Sequence, residues 1–169
     1  MIINVMRNPK DVFTSAFHYF EKASYLPNPG PQNEFLHKFL DGKVRHGSWF
    51  DHVSWLNAED KEHMMHISYE EMLMDLKDSV SRITPFLEIP LDDEVIENIA
   101  DRCLFKNMRT NSSNFSMVPS EMNGVSKSDH MRKGIAGDWK KQLTVAEAEY
   151  VDAVYKDQMK DVKYKFVWD

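Results

Sequence analysis

Apolar residues fall into two kinds of block, short continuous runs and longer helical patterns, and the two kinds alternate along the chain. The mostly apolar run at Ile2–Met6 is too short for a helix and ends at Asn8-Pro9, which favours a buried strand of a parallel sheet. Residues 63–69 form a second run of this kind. Alternating strands and helices predict an α/β fold, although two strands alone do not make a stable parallel sheet.

Between and after these runs, apolar residues recur at the three- and four-residue spacing of amphipathic helices. Asp11 is a candidate N-cap for the first helix, Gly42 is placed to end the second, and Thr144 is placed to cap the last. Residues 107–128 lack a period and predict a long loop. The apolar tail at residues 164–168 is expected to pack on the body. The predicted helices cover residues 12–22, about 35–40, 48–56, 70–87, 92–103 and 144–159.

Composition narrows the classes of function. The chain has 169 residues, 42% of them apolar, which predicts one domain, residues 1–169, with a real core. Its net charge of −6 argues against a broad nucleic-acid surface. The single cysteine, Cys103, excludes an intrachain disulfide and suits a reducing compartment. No apolar run approaches the roughly 20 residues of a membrane span, and no signal peptide is recognisable, so we expect a cytoplasmic protein that does not bind membranes.

Arg7 directly follows the first predicted strand, and Ser15 lies in the first turns of the next helix. Open α/β sheets bind ligands at the carboxyl ends of their strands. A guanidinium, a hydroxyl and a helix N-terminus can converge there on one phosphate. The alternative is a solvated Arg-Lys turn beside a neutral helix serine, and the residues alone do not choose between the two.

The densest basic stretch of the chain is MRKGIAGDWKKQLTVAEAE, residues 131–149. Its Arg132-Lys133-Gly134 followed by Gly137 is typical of a phosphate cradle, although it is not a Walker A loop. The alternative is a flexible basic turn. Tyr69 ends the second predicted strand at the same expected ligand edge, where the alternative is an ordinary core tyrosine.

The seven histidines suggest neither a metal site nor a catalytic triad. His63 and His66 point to opposite faces of a strand, and His46 and His52 have no carboxylate partner at a recognised spacing. We therefore predict structural or surface roles for them and no metal site.

Four segments together resemble the cytosolic sulfotransferases, in the same order and across nearly the whole chain: RNPKDVFTS, GSWFDHV, ISYEEM and RKGIAGDWK. The last is similar to the family signature RKGxxGDWK, which is highly specific. GSWFDHV, YEEMLMDLKDSVSRI and the terminal VWD most resemble the alcohol or hydroxysteroid branch. The resemblance implies a three-layer, P-loop-containing nucleoside triphosphate hydrolase-like sulfotransferase fold with a parallel sheet and flanking helices.

The resemblance also implies a reaction. A sulfuryl group would pass from 3′-phosphoadenosine 5′-phosphosulfate (PAPS) to the hydroxyl of a small lipophilic acceptor, which would be an alcohol, a hydroxysteroid or a phenol. The product left from PAPS would be 3′,5′-adenosine bisphosphate (PAP), and the reaction would need no metal. The family's T-Y-P-K-S-G-T-T-W-like phosphosulfate loop and its general-base histidine occur nowhere in the 169 residues. We therefore expect a chain that resembles the C-terminal part of such an enzyme, incomplete at the N-terminus. We assign no catalytic residue, because the general base is expected upstream of Met1.

Site residues carry over from the family motifs by position. The resemblance places Arg7 and Ser15 at the 3′-phosphate of PAPS and Tyr69 at the adenine. In the adenine-side stretch Phe105 is kept, whereas Cys103 and Leu104 replace the usual hydroxyl residues. The implied cofactor set is Arg7, Ser15, Tyr69, Cys103, Leu104, Phe105, Lys106, Asn107, Met108, His130, Met131, Arg132, Lys133 and Gly134.

A further match, K-x-x-x-T-V-x-x-x-E, resembles the dimer element of the family and implies a homodimer through Lys140, Thr144, Val145 and Glu149. Val145 gives a small apolar patch, and Lys140 and Glu149 are placed to pair across a twofold axis. Two other readings stay open. One is a non-catalytic fragment or pseudoenzyme that binds partners through this patch. The other is a relative of P-loop kinases, which the missing Walker A lysine disfavours.

Overall fold

The computed structural model describes residues 1–54, 62–111, 131–162, 164 and 166–168 of the 169-residue chain. Two strands, β1 (Ile2–Met6) and β2 (Met64–Ser68), form the two-stranded sheet of the described residues. They pair in parallel, with Ile2 opposite Met64 and Met6 opposite Ser68. The carboxyl ends of both strands therefore meet at one edge of the sheet, as the sequence pattern predicts.

Helices cover most of the remaining described chain, and a short 3-10 helix spans Asp138–Lys141. The helices are α1 (Pro9–Lys22), α2 (Gln32–Leu40), α3 (Trp49–Ser54), α4 (Tyr69–Met74), α5 (Leu76–Phe86), α6 (Asp93–Arg102), α7 (Phe105–Thr110) and α8 (Val145–Gln158). None of those in the described ranges has the length and apolar character needed to cross a membrane.

Helix α1 begins earlier than predicted because its N-cap is Asn8, not Asp11. The Asn8 side chain accepts a hydrogen bond from the Lys10 backbone N–H at 3.0 Å. Pro9 follows at the first helical position, where its fixed φ is compatible with the helix and its missing N–H costs nothing. Asp11 is thus free to make a distant contact, described below.

The single helix predicted over residues 70–87 is wrong. Asp75 adopts an extended conformation, with φ −151° and ψ 97°, and separates α4 from α5. Its side chain accepts from the Asp78 backbone N–H at 2.9 Å, which caps α5. Aspartate side chains compete with helical backbone hydrogen bonds in this way, so the apolar period continues while the helix does not.

The long loop predicted over residues 107–128 is also wrong at its start, because α7 runs to Thr110. The part from residue 112 onward lies outside the described residues, as do residues 55 and 56 of the predicted third helix. The final helix agrees with the prediction: Thr144 is its N-cap and forms a capping box with Glu147.

The main core lies between α1, α2, α3, α8 and the C-terminal tail. Phe13 of α1 is fully buried, and its ring lies 5.7 Å from the ring of Phe39 in an edge-on arrangement. Phe166 of the tail is only 2% exposed and belongs to the same cluster, which confirms that the tail packs on the body. This packing fixes α1 with its N-terminal end at the carboxyl edge of the sheet.

Candidate functional site

A cavity of about 640 Å³ opens at the carboxyl edge of the sheet. Arg7 follows β1 and Tyr69 follows β2, so both lie at this edge. Most of the residues predicted from the family motifs line the cavity. They are Arg7, Ser15, Tyr69, Cys103, Leu104, Phe105, Met108, Met131, Arg132, Lys133 and Gly134.

Arg7 is held from several sides. Its guanidinium carbon lies 4.3 Å from the centre of the Tyr69 ring, and its Nη2 donates to the Ile135 carbonyl oxygen at 3.1 Å. The Trp49 indole N–H donates to the Arg7 carbonyl oxygen at 3.1 Å. Arg7 Nε is buried and has no hydrogen-bond partner among the described residues. The guanidinium is therefore preorganised beside the cavity with donor capacity to spare.

Arg132 and Lys133 form the cationic side of the cavity and share one carboxylate. Arg132 Nη1 lies 2.6 Å and Lys133 Nζ 2.8 Å from the oxygens of Asp138. The Asp138 side chain is only 2% exposed. Burial opposes its ionisation, but hydrogen bonds from Lys133 and Arg132 outweigh that effect and hold the pKa of Asp138 below its ordinary value of 3.8.

Gly134 brings the basic loop into close contact with α7. Its φ is +66°, a left-handed conformation that side-chain-bearing residues rarely adopt. A Cβ built at this position would lie 2.1 Å from Cδ2 of the Phe105 ring. The absence of a side chain at Gly134 is thus what allows the aromatic ring and the basic loop to share one cavity wall.

Asp11 ties this loop to α1, an arrangement that the sequence analysis missed. Its two carboxylate oxygens accept from the backbone N–H groups of Gly137, at 2.6 Å, and Trp139, at 3.0 Å. Nearby, Lys10 Nζ lies 4.1 Å from the Trp139 ring and 2.5 Å from Asp152. No local pattern around Asp11 announces a partner so distant in sequence.

Some predicted residues lie away from the cavity lining, and the cavity has a wall that was not predicted. On α7, Lys106 is exposed, and the Asn107 amide donates to Asp101. His130 lies outside the described residues.

The unpredicted wall comes mainly from α4 and α5 and is mostly apolar. It consists of Met72, Leu73, Leu76, Ser79, Val80, Ile83 and, from the basic loop, Ile135. Helical periodicity marks most of these side chains only as candidates for a core.

Met1 has no part in the cavity. It is 57% exposed and does not line the cavity. It precedes the amino end of β1, whereas Arg7 follows the carboxyl end of the same strand. Met1 therefore lies away from the edge of the sheet at which the cavity opens.

Glu70 is a buried carboxyl group next to the cavity edge, and it too was not predicted. Its Oε1 accepts from the Asn8 backbone N–H at 3.1 Å, while its Oε2 is buried without a partner among the described residues. Burial raises the pKa of Glu70 above its ordinary value of 4.5, although the Asn8 N–H and the Arg7 charge act in the opposite direction. The ionised form is therefore held at a cost to stability.

Replacing Glu70 with glutamine should change how stability depends on pH. A raised pKa in the folded state means that the stabilising contribution of Glu70 is present below its unfolded pKa and is lost as pH rises through the folded pKa. The unfolding free energy of the wild type, minus that of Glu70→Gln, should thus be largest below pH 4.5 and fall as the pH rises through the raised folded-state pKa of Glu70. Urea unfolding at several pH values measures this difference.

Glu71→Gln is the matched control, because the adjacent carboxyl has the opposite behaviour. Burial opposes ionisation there as well, but hydrogen bonds from Ser68 and Arg82 lower the pKa of Glu71 below 4.5. Its contribution is present at neutral pH and lost on acidification, so the slope should reverse. Equal slopes for the two variants would contradict the assignment of Glu70.

The residues predicted to form a dimer contact lie on two consecutive elements: Lys140 is on the 3-10 helix, Thr144 is the N-cap of α8, and Val145 and Glu149 are in its first turns. Val145 is 76% exposed, and Lys140 and Glu149 are exposed as well. The Thr144 hydroxyl accepts from the Glu147 backbone N–H at 3.2 Å, so this side chain is used in capping. Val145, Lys140 and Glu149 are called the α8 surface below.

Among the residues with described positions, no three His, Cys, Asp or Glu side chains are grouped closely enough to hold a metal ion. The cavity chemistry is instead that of an anion site beside an aromatic and apolar pocket. Arg7, Arg132 and Lys133 supply the cations, Tyr69 and Phe105 supply the aromatic rings, and Ser15 supplies an exposed hydroxyl.

Comparison with known proteins finds relatives across nearly the whole chain. The model of the family described as "Sulfotransferase domain" matches residues 1–163. Sulfotransferase 2B1 of Mus musculus is 41% identical over 99% of this chain and 50% of its own length. Sulfotransferase 1B1 of Mus musculus is 39% identical over 99% of this chain and 57% of its own length. The chain thus spans about half the length of the curated relatives it matches.

Solved structures with the same fold include mouse sulfotransferase SULT7A1 complexed with PAP. It is 34% identical, with a TM-score of 0.82, over 95% of this chain and 58% of that one. Retinol dehydratase, solved with androsterone and the inactive cofactor PAP, has a TM-score of 0.82 at 23% identity, over 99% of this chain and 49% of that one. The predicted α/β fold, with a parallel sheet and flanking helices, is therefore confirmed.

Proposed function

The chain belongs to the sulfotransferase family, as its motifs predict, and on that premise we propose that its cavity binds the 3′-phosphoadenosine part of PAPS. One observation carries this proposal. Arg7, Ser15 and the Arg132–Gly134 loop come from distant parts of the chain and line a single cavity at the carboxyl edge of the sheet. The P-loop-like α/β fold binds ligands at this edge.

The residues present fit this ligand. Arg7, Arg132 and Lys133 are the proposed partners of the 3′-phosphate, with Ser15 as a hydroxyl donor. Arg7 Nε has no hydrogen-bond partner among the described residues, and this supports that role, because an acceptor stabilises a buried donor that lacks one. Tyr69 and Phe105 are proposed to flank the adenine. The remaining predicted contacts, Lys106, Asn107 and His130 among them, stay predictions.

The proposed reaction is transfer of the sulfuryl group of PAPS to an acceptor hydroxyl. The acceptor oxygen forms a bond to sulfur, and the bond from sulfur to the 5′-phosphate oxygen breaks, which releases 3′,5′-adenosine bisphosphate. The proton of the acceptor hydroxyl passes to a general base. This chain's part is to bind and orient the donor through its 3′-phosphate, which contributes positioning rather than bond breaking. No described residue is assigned as the general base.

For the acceptor we propose a small lipophilic alcohol of the hydroxysteroid type. The resemblance of GSWFDHV and the terminal VWD to that branch of the family supports this class. The mostly apolar wall from α4 and α5 is compatible with a lipophilic neighbour. We further propose a cytoplasmic homodimer that uses the α8 surface, which is supported by an apolar Val145 that is 76% exposed between Lys140 and Glu149.

Arg132→Ala tests the phosphate assignment. Loss of one charged contact should weaken binding of 3′,5′-adenosine bisphosphate about tenfold, as measured by titration calorimetry. Lys141→Ala is the matched control, since Lys141 is an exposed cation on the adjacent 3-10 helix and does not line the cavity. Unchanged affinity in Arg132→Ala, or an equal loss in Lys141→Ala, would refute the assignment.

A second candidate function is a non-catalytic module that binds partners through the α8 surface, and the exposed Val145 favours it. Labelled PAPS and a hydroxysteroid, incubated with the purified chain, separate the two candidates. Sulfated product above a heat-inactivated control would exclude the non-catalytic reading. Bisphosphate binding without product, together with a dimer that Val145→Asp dissociates, would support it.

A further inference from the structure

Asp138 lies behind the cationic side of the cavity rather than in its wall. Its carboxylate contacts both Arg132 and Lys133, which line the cavity, while Asp138 itself does not. The side chains of the two cations are 22% and 45% exposed, against 2% for Asp138. One buried anion therefore holds two cations that reach solvent at the proposed 3′-phosphate position.

The position of this carboxylate is fixed on both sides along the chain. Gly137 adopts a left-handed conformation with φ +79°, and the 3-10 helix starts at Asp138. Asp11 of α1 accepts the backbone N–H groups of Gly137 and Trp139, the two neighbours of Asp138. Asp138 thus has little freedom to move away when the two cations are offered another anion.

Two physical effects of this arrangement on phosphate binding have opposite signs. The carboxylate reduces the positive charge that a phosphate would meet, which weakens attraction. It also orders two long side chains during folding, so that less conformational entropy is lost when a ligand binds. A buried carboxylate without cationic partners would be strongly destabilising. Asp138 therefore holds Arg132 and Lys133 in place, and the ordering effect outweighs the reduced attraction.

We propose, building on the proposed function, that Asp138 is a positioning residue that presents Arg132 and Lys133 to the 3′-phosphate and so sets the preference for 3′-phosphorylated adenine nucleotides. Asp138→Asn keeps the size of the side chain and removes its charge. If attraction alone mattered, this variant would bind the bisphosphate more tightly. Because positioning dominates, it binds more weakly.

The experiment compares 3′,5′-adenosine bisphosphate with 5′-adenosine monophosphate by calorimetry on the full chain. In Asp138→Asn, affinity for the bisphosphate should fall about tenfold, the effect of releasing two ordered side chains, while affinity for the monophosphate stays the same. Asp152→Asn is the matched control, since that carboxylate pairs with Lys10 and its side chain is 59% exposed. It should leave both affinities unchanged.

The outcomes separate this proposal from the proposed function. A wild-type chain that does not prefer the bisphosphate refutes both. If the wild type prefers the bisphosphate and Asp138→Asn keeps or increases that preference, only the positioning role is refuted. An equal loss of affinity for the two nucleotides also refutes it, because that result would indicate a merely structural role. Asp138→Glu, which keeps the charge and displaces the carboxylate, should also lose the preference. If circular dichroism shows that Asp138→Asn is unfolded, Asp138→Glu provides the test.

Discussion

Replacing Gly134 with alanine is expected to weaken binding of 3′,5′-adenosine bisphosphate about a hundredfold or more. The new Cβ would lie 2.1 Å from the Phe105 ring, a separation that non-bonded atoms do not tolerate. The φ of +66° adds a cost of about 1–2 kcal/mol for a residue with a side chain, and this cost falls on stability. Relieving the collision displaces Arg132 and Lys133 from the cavity wall, and a loss of about 3 kcal/mol in their charged contacts corresponds to roughly a hundredfold in affinity. Titration calorimetry measures the effect.

Gly137→Ala is the control that separates collision from backbone strain. Gly137 has a similar φ, +79°, but no atom of the described residues lies within 4 Å of the position that its Cβ would take. It should lose about 1 kcal/mol of stability and keep its affinity within about threefold. Equal loss of affinity in the two variants would show that strain, and not the contact with Phe105, explains the requirement for glycine.

Asp11→Ala should lower the free energy of unfolding by about 3 kcal/mol, through the loss of two hydrogen bonds to a charged acceptor. Asp11 is only 2% exposed, and the N–H groups of Gly137 and Trp139 would lose their acceptor in a partly buried position. The basic loop would also lose its attachment to α1, and bisphosphate affinity should fall with stability. Urea unfolding and calorimetry on the same preparation measure the two effects.

Asp93→Ala is a matched control for Asp11→Ala. Asp93 also lies in the first turn of a helix, α6, but it is exposed. Its loss should cost about 0.3–1 kcal/mol through the helix dipole alone. If Asp11→Ala costs no more than Asp93→Ala, the two hydrogen bonds to the basic loop contribute nothing measurable. Asp11→Asn, which keeps one acceptor oxygen, should lie between the wild type and Asp11→Ala.

The sequence predicts those features that depend on local pattern. The apolar runs give β1 and β2, and since parallel strands end at the same edge, they also predict that Arg7 and Tyr69 lie at one edge of the sheet. The contact between the two side chains is seen only in the structure. Helical spacing gives the helices, but not the interruption at Asp75, which depends on one side chain competing with the backbone. The family motifs identify the basic loop although its surroundings are distant in sequence.

What the sequence does not predict are contacts between distant segments. The sequence makes Asp11 a candidate N-cap, and only the folded chain shows that it instead binds the backbone N–H groups of Gly137 and Trp139. Asp138 belongs to a motif, yet its pairing with both cations depends on burial, which composition does not reveal. The apolar wall from α4 and α5 has the helical period of an ordinary core, so its place beside the cavity could not be inferred.

The link between Asp11 and Gly137 also bears on the order in which the protein matures. The two residues are separated by 126 positions, so α1 leaves the ribosome long before its partner loop is synthesised. Contacts of such high sequence separation form only after a large loss of chain entropy, and they slow folding. The proposed anion site is therefore expected to be one of the last parts of the chain to assemble, because ribosome-bound intermediates that stop before residue 137 contain Asp11 without its partners.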